Sequence, residues 1–319
     1  MSKFDVICVG TAIVDIPLYP VNPDILDQVS FPLEDISMKI GGDAINEATI
    51  IARLGNQVAL ISAVGNDSSG DFIVNSAKEN DINVDHLKQS DDLTTSINIG
   101  LIHSDGERTF LNNRNGSLWK MSINDIDVDS IKDAKILSLA SIFNNPLLNN
   151  RALVKIFRQA KSQGMIICAD MVASRLHERL NDIAEALNYV DYFFPNYDEA
   201  SMLTGLTDLD EIADKFMSLG VKHVVIKIGK KGAFIKSKNV RTIVPAFLNK
   251  GAIHIDTTGA GDNFAAGFIS ELVQDKSFEE CARFASAVAA VSVEGLGATA
   301  GVKSKQQVNQ MIANYSVKG

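Results

Sequence analysis

Lys135-Ile136-Leu137-Ser138-Leu139, then the amphipathic stretch Leu153 to Ala160, then Met165-Ile166-Ile167-Cys168-Ala169: this succession decides the fold class. The outer runs are apolar without alternation, the pattern of strands buried on both faces. The middle stretch carries apolar residues at helical spacing. Strand, helix and strand of this kind make a parallel βαβ unit. The pattern recurs, with strand-like Val6-Ile7-Cys8-Val9, Val58-Ala59-Leu60-Ile61, Tyr192-Phe193-Phe194 and His223-Val224-Val225-Ile226, and helical Ile183 to Leu187 and Ile212 to Leu219. The reading is an α/β protein with a doubly wound, mainly parallel sheet. Ligands in such sheets bind beyond the carboxyl ends of the strands.

Composition narrows the function. A chain of 319 residues is long enough for one large α/β domain, and 46% hydrophobic with 22% charged residues is an ordinary globular balance. The net charge of -9 argues against nucleic-acid binding, which needs a basic face. No apolar run approaches the ~20 residues of a membrane helix, and Val6 to Val9 is too short for a signal peptide. Cys8, Cys168 and Cys281 sit among apolar residues without metal-ligand spacing, so they read as buried reduced thiols of a cytoplasmic protein.

Two segments depart from the βα rhythm. Pro17 to Lys39 holds four prolines and few helix signals. Thr94 to Arg114 alternates polar and apolar residues around Ser104-Asp105-Gly106-Glu107, a hairpin signal. Together, over about 15–40 and 94–114, they predict a small antiparallel sheet outside the main one. Such a flap covers a site, or pairs with a second copy along its edges. No repeat, linker or low-complexity tract divides residues 1–319.

The chemistry concentrates at Asp256-Thr257-Thr258-Gly259-Ala260-Gly261-Asp262, which runs into the apolar helical stretch Asn263 to Val273. Amides at a helix start have no intrahelical acceptor and bind anions. A carboxylate beside a bound phosphate is repelled, so Asp262 makes sense there if it handles the attacking group. Amides of Ala260, Gly261 and Asp262 would stabilise charge on a transferred phosphoryl group. Asp262 would accept or align the proton of an attacking hydroxyl.

Other motifs carry two readings each. Gly41-Gly42-Asp43-Ala44-Ile45-Asn46 is a tight turn with Asp43 as cap, or a substrate-binding turn with Asn46 as contact. Asn196-Tyr197-Asp198-Glu199 is a capping box, or a pair of oxygen donors for hydrated Mg²⁺. Lys227-Ile228-Gly229-Lys230-Lys231-Gly232 is a hairpin turn, or the wall of a nucleotide site. Glu294-Gly295-Leu296-Gly297-Ala298-Thr299-Ala300 has dinucleotide-like glycines but follows a helical stretch rather than a strand, which argues against a dehydrogenase. The Walker pattern is absent, the histidines lack zinc spacing, and no hydrolase elbow occurs.

With both glycine clusters in view, the chain resembles the ribokinase/PfkB carbohydrate-kinase family, from Gly10 to about Gly301. Gly41-Gly42, Asn46, Ala48 and Ala52-Arg53-Leu54-Gly55 look like its first signature; Asp256-Thr257, Gly259-Ala260-Gly261-Asp262, Phe264 and Gly267-Phe268 look like its second. The resemblance implies a ribokinase-like α/β/α sandwich with a small β-lid, ATP as donor and a sugar hydroxymethyl as acceptor. It implies Asp262 as catalytic base and Gly259 to Gly261 as anion hole. Asp15, Gly41, Gly42 and Asn46 would contact substrate. Asn196 and Glu199 would hold Mg²⁺ and phosphate, Glu199 through water. Lys227, Gly229 and Gly232 would line the nucleotide. Asp256 and Thr258, with backbone near Gly297, resemble a K⁺-type monovalent-cation site. A homodimer through the lid is common among similar proteins.

Three departures bear on specificity. Ile13 stands where ribokinase-like members often carry Asn; Ser138-Leu139-Ala140-Ser141 lacks an acidic residue common after that strand; Ser286 replaces an Asn of the adenine pocket. The first two weaken ribose as substrate. Arg114, after the lid hairpin, is a candidate for an anionic group of a sugar acid or sugar phosphate, with Arg175 a second. The alternatives are a nucleoside kinase, for which the lid offers Phe110 and Trp119 as base slot, and a non-catalytic sugar and nucleotide sensor.

Overall fold

The computed structural model describes residues 3–104, 108–247 and 256–318. The strands are β1 Phe4–Val9, β2 Ile13–Val21, β3 Lys39–Gly41, β4 Val58–Gly65, β5 Leu87–Ser90, β6 Ile97–His103, β7 Arg108–Asn112, β8 Ala134–Ile142, β9 Ile166–Met171, β10 Tyr192–Phe193, β11 His223–Lys227, β12 Ala233–Ser237 and β13 Arg241–Val244. The helices are α1 Asp43–Arg53, α2 Ser68–Glu79, α3 Ser117–Lys120, α4 Asn150–Ser162, α5 Ala184–Leu187, α6 Tyr197–Thr204, α7 Leu209–Ser218, α8 Ala260–Leu272, α9 Phe278–Ser292 and α10 Lys305–Lys318. None is long and apolar enough, among the described residues, to cross a membrane.

A large sheet runs in the order β13-β12-β11-β10-β9-β8-β1-β4-β5. It is parallel from β11 to β5, and β12 and β13 add antiparallel at one end. The unalternating strand runs have the predicted cause. Val6 and Cys8 of β1 pack into the core on one face, Ile7 and Val9 into the core on the other. Leu60 against Ala59 and Ile61 in β4, and Val225 against Val224 and Ile226 in β11, divide in the same way. Helices cover both faces, as an α/β/α sandwich requires. Phe268 of α8 is fully buried and meets Phe194 edge-on at 5.0 Å. A side chain of that size contributes roughly 1.5–3 kcal/mol by leaving water, so α8 is firmly seated under the sheet's working edge.

The second sheet has the order β3-β2-β6-β7. It is mixed rather than antiparallel, because β2 pairs β6 in parallel, Asp15 opposite Asn98 and Pro17 opposite Gly100. The chain leaves β2, builds β3, α1, β4, α2 and β5, and returns to β6 in the same direction, which local alternation does not reveal. β2 also begins earlier than the proline-rich segment suggested. Pro17 and Pro20 fall beyond the short β3 pairing of Ile13 to Asp15, where prolines are tolerated on a strand edge. β6 and β7 form the antiparallel pair expected from the alternation. The Asp105-Gly106 turn itself lies outside the described residues.

Cys8, Cys168 and Cys281 are free and buried, and burial pushes all three thiols up.

Candidate functional site

The carboxyl ends of β1, β8, β9 and β11 converge with the starts of α1 and α8, and most of the motif residues meet there. Gly259 caps α8 at φ 71°, a left-handed turn that glycine makes without strain. A side chain at Gly259 would also meet Ala298 at 2.7 Å. Among the described residues the amides of Gly259, Gly261 and Asp262 have no acceptor, whereas Ala260 donates to Thr257 O at 3.2 Å. The turn that frees the neighbouring amides therefore occupies that of Ala260, a correction to the expected donor set.

Asp262 lies in the first turn of α8, and its Oδ2 accepts a hydrogen bond from Asn46 Nδ2 at 2.8 Å. Burial, and then the charge of Asp43, push its carboxyl up to about 6. Asn46 is buried, and its Oδ1 has no partner among the described residues. The same holds for Asp15 Oδ1, while Asn98 donates to the Asp15 carboxylate. Burial lifts Asp15 to about 6 as well. A buried oxygen without a donor costs free energy, so these two point to hydroxyl donors on a ligand.

Gly41 and Gly42 make this corner possible. A Cβ on Gly41 would fall 2.1 Å from Asp15 Oδ2, and one on Gly42, at φ 98°, would fall 2.5 Å from Thr11 O. Asp43 is not the cap the sequence suggested. Gly42 occupies that position, and the buried Asp43 carboxylate instead accepts Thr11 N–H at 3.3 Å, Ala44 N–H at 2.9 Å and Asn144 Nδ2 at 2.6 Å. It ties the loops after β1 and β8 to the start of α1.

Lys227 leaves the turn on which the sequence placed it and points inward. Its Nζ pairs with Asp170 of β9 and lies 3.2 Å from where a Gly261 Cβ would be. Burial pulls the ammonium down, but Asp170, Glu199 and Asp262 together raise it. Burial also lifts Asp170 in spite of Lys227. Neither Asp170 nor this contact was legible in the sequence, because Asp170 ends an apolar strand run and its partner lies on β11.

Asn196 and Glu199 form the capping box: Asn196 Oδ1 accepts Glu199 N–H, and Glu199 Oε2 accepts Asn196 N–H, both at 2.9 Å. Glu199 is lifted by burial, with Lys227 opposing. The box and a metal role are compatible, since the second carboxylate oxygen remains. No group of three or more His, Cys, Asp or Glu among the described residues is arranged to bind a metal directly. The hard oxygens of Asp170, Glu199 and Asp262 around one ammonium suit Mg²⁺ held through its own waters. A cleft of about 730 Å³ opens beside Asn196, Lys227 and Gly229.

Gly229 and Gly232 bracket the short turn joining β11 to β12, and Gly232 lies hard against Val244 O. Asp256 accepts Thr258 N–H at 2.8 Å and Gly297 N–H at 2.9 Å, joining the two glycine loops. Ser286 is buried on α9 with its hydroxyl unpartnered, and no contact ties it to Asp262 or Lys227. Arg114 and Arg175 both lie over the Trp119 ring, at 4.8 and 5.5 Å from its centroid. Asn98, Asn112, Asn144 and Asp170 were missed by sequence reading; isolated polar residues in or after strands carry no signal of what they will face.

Open helix-start amides, a nearby carboxylate and buried hydroxyl acceptors at the end of a doubly wound sheet are the parts of phosphoryl transfer to an alcohol, and the chain is a phosphotransferase of that class. It belongs to the pfkB family of carbohydrate kinases, whose pattern matches residues 3–305. It is similar to a ribokinase of Haemophilus influenzae, at 29% identity over 88% of this chain and 89% of the relative. An ATP-dependent 6-phosphofructokinase of Thermoanaerobacterium thermosaccharolyticum is 28% identical over 93% of this chain and 90% of the relative. The fold matches that of Arabidopsis thaliana ribokinase complexed with ribose and ATP, with TM-score 0.80 and 25% identity over 98% of this chain and 99% of that one. The ribokinase-like architecture and the family resemblance are thereby confirmed.

Proposed function

We propose that this carbohydrate kinase transfers the γ-phosphate of ATP to a hydroxymethyl group of a sugar or sugar derivative, with Asp262 as base. The carrying observation is the Asn46–Asp262 bond, which sets a buried carboxylate beside open amides and beside the unpartnered Asn46 Oδ1. The acceptor hydroxyl gives its proton to Asp262 as its oxygen bonds to phosphorus. The bond from phosphorus to the leaving oxygen breaks, and ADP departs. Amides of Gly259, Gly261 and Asp262 cradle the transferring group, and Lys227 adds positive charge next to Gly261. ATP as donor is supported by the ATP-bound ribokinase and the ATP-dependent phosphofructokinase.

Glu199 and Asp170 would hold Mg²⁺ through waters, and the ion would offset phosphate charge. Asp256, Thr258 and Gly297 would frame a K⁺ site. The small sheet would serve as a lid that keeps water from the phosphate. Asp15, on β2, would bring a hydroxyl contact with it. A nucleoside acceptor is disfavoured because the Trp119 ring already carries two guanidinium groups. The test is ADP release across pentoses, hexoses, sugar acids, sugar phosphates and nucleosides, with and without K⁺. ADP formed with a carbohydrate class supports the reading; ADP formed only with nucleosides overturns the acceptor assignment.

Exposed Leu111 of β7, on the face away from Asp15, and exposed Ile36 of the loop before β3 are apolar positions a second copy would cover in a homodimer. Gel filtration at the mass of two chains is the expected result; elution as a single chain dismisses it.

A further inference from the structure

Arg114 follows β7 of the small sheet, and Arg175 follows β9 of the large one. Both side chains are exposed, both lie over Trp119, and neither is ion-paired among the described residues. Two neighbouring guanidinium groups with no directly bonded carboxylate repel each other; the Asp43 carboxylate, reached through Asn144, offsets charge on Arg175 alone. Their forked donors match the oxygens of a carboxylate or phosphate two at a time.

A polar row connects this pair to the reacting end of the site. Asp15 stands opposite Asn98, and Asn98 opposite Asn112, across β2, β6 and β7. Residues directly opposite share one face of a sheet. Asn112 Oδ1 accepts a hydrogen bond from Trp119 Nε1 at 2.9 Å. Two strand spacings put Asn112 roughly 10 Å from Asp15, the reach of an extended hexose derivative with a terminal substituent. A second route closes the circle. Arg175 Nη2 donates to Asn144 Oδ1 at 2.8 Å, and Asn144 donates to Asp43 at the start of the helix that bears Asn46.

We propose that Arg114 and Arg175 form an oxyanion subsite for the end of the acceptor remote from its reacting hydroxymethyl group, so that the preferred substrate is an anionic sugar derivative. This rests on the kinase reading above. Trp119 holds the guanidinium groups in place, and Asp15 and Asn98 take hydroxyls along the row.

The test compares kcat/KM for a six-carbon sugar acid, a hexose phosphate and the matching neutral hexose, using the wild type, Arg114→Gln, Arg175→Gln and the double variant. Glutamine at 175 keeps a donor for Asn144. The wild type is expected to favour one anionic compound, and which of the two tells carboxylate from phosphate. Each variant should lose about 10- to 100-fold on that compound through KM, with the KM for ATP unchanged. Calorimetric binding of the same compound without ATP should show the same loss, and should weaken with salt. Preference for the neutral hexose, or variants with undiminished affinity for the anion, overturns the subsite and leaves the kinase reading standing. No ADP from any compound strikes at the kinase reading, and calorimetry still decides the subsite.

Discussion

Replacing Asp262 with alanine lowers kcat by about two to four powers of ten and leaves ATP affinity nearly unchanged. Asp262 is hydrogen-bonded to Asn46, and in the proposed arrangement both face the acceptor, so the donor nucleotide would not depend on Asp262 for binding. Asp262→Asn separates two roles. It keeps an oxygen to accept the Asn46 hydrogen bond but cannot take a proton, so a loss equal to that of alanine assigns basicity, and a smaller loss assigns positioning. The pH profile gives an independent check. Burial holds the Asp262 carboxyl at about 6. Below that pH the group is protonated and has no place for the hydroxyl proton; above it the carboxylate is ready. Wild-type kcat/KM should therefore fall with acid through about 6, and the residual activity of the alanine variant should lack the Asp262 component of that limb. Turnover by Asp262→Ala equal to wild type removes Asp262 from the mechanism.

Lys227→Met is the second large effect. The Lys227 ammonium stands against the cradle, 3.2 Å from the Gly261 Cβ position. Loss of such a stabilising group costs about 10²- to 10³-fold in kcat. The same change leaves Asp170, which is 3% exposed, without its partner. Breaking a buried pair on one side destabilises by about 3–5 kcal/mol. The sign with pH follows from burial. Asp170 is already raised in the folded state, and without the ammonium it rises further. A raised carboxyl stabilises the fold while protonated, and that contribution is lost as pH rises through the folded value. The variant should thus melt progressively earlier towards alkaline pH. Asp170→Asn combined with Lys227→Met removes the stranded carboxylate, and should recover the melting temperature without recovering turnover. Recovery of both would reduce Lys227 to a structural role.

What the sequence made legible was local. Gly41, Gly42 and Gly259 announce left-handed or crowded backbone next to helix starts; that Asn46 and Asp262 beside them share a hydrogen bond is a finding of the structure. The strand runs were legible because burial on both faces leaves no alternation to misread. What stayed hidden was set by distance along the chain. Asp170 looked like the polar end of a strand until β11 brought Lys227 beside it. Asn98 and Asn112 occupy alternating positions in strands of the small sheet, where a polar residue normally faces water; only the parallel pairing with β2 aligns them with Asp15. Asp43 had the sequence of a cap and became a strut between loops, because Thr11 and Asn144 arrive from β1 and β8.

A crystal structure of the complex with the acceptor and a non-hydrolysable ATP analogue tests the central claim most directly. The account predicts the acceptor hydroxyl oxygen within hydrogen-bond reach of Asp262, about 2.6–3.2 Å, with the γ-phosphate over the amides of Gly259, Gly261 and Asp262. An acceptor hydroxyl held elsewhere, with Asp262 facing only Asn46 or solvent, would contradict it.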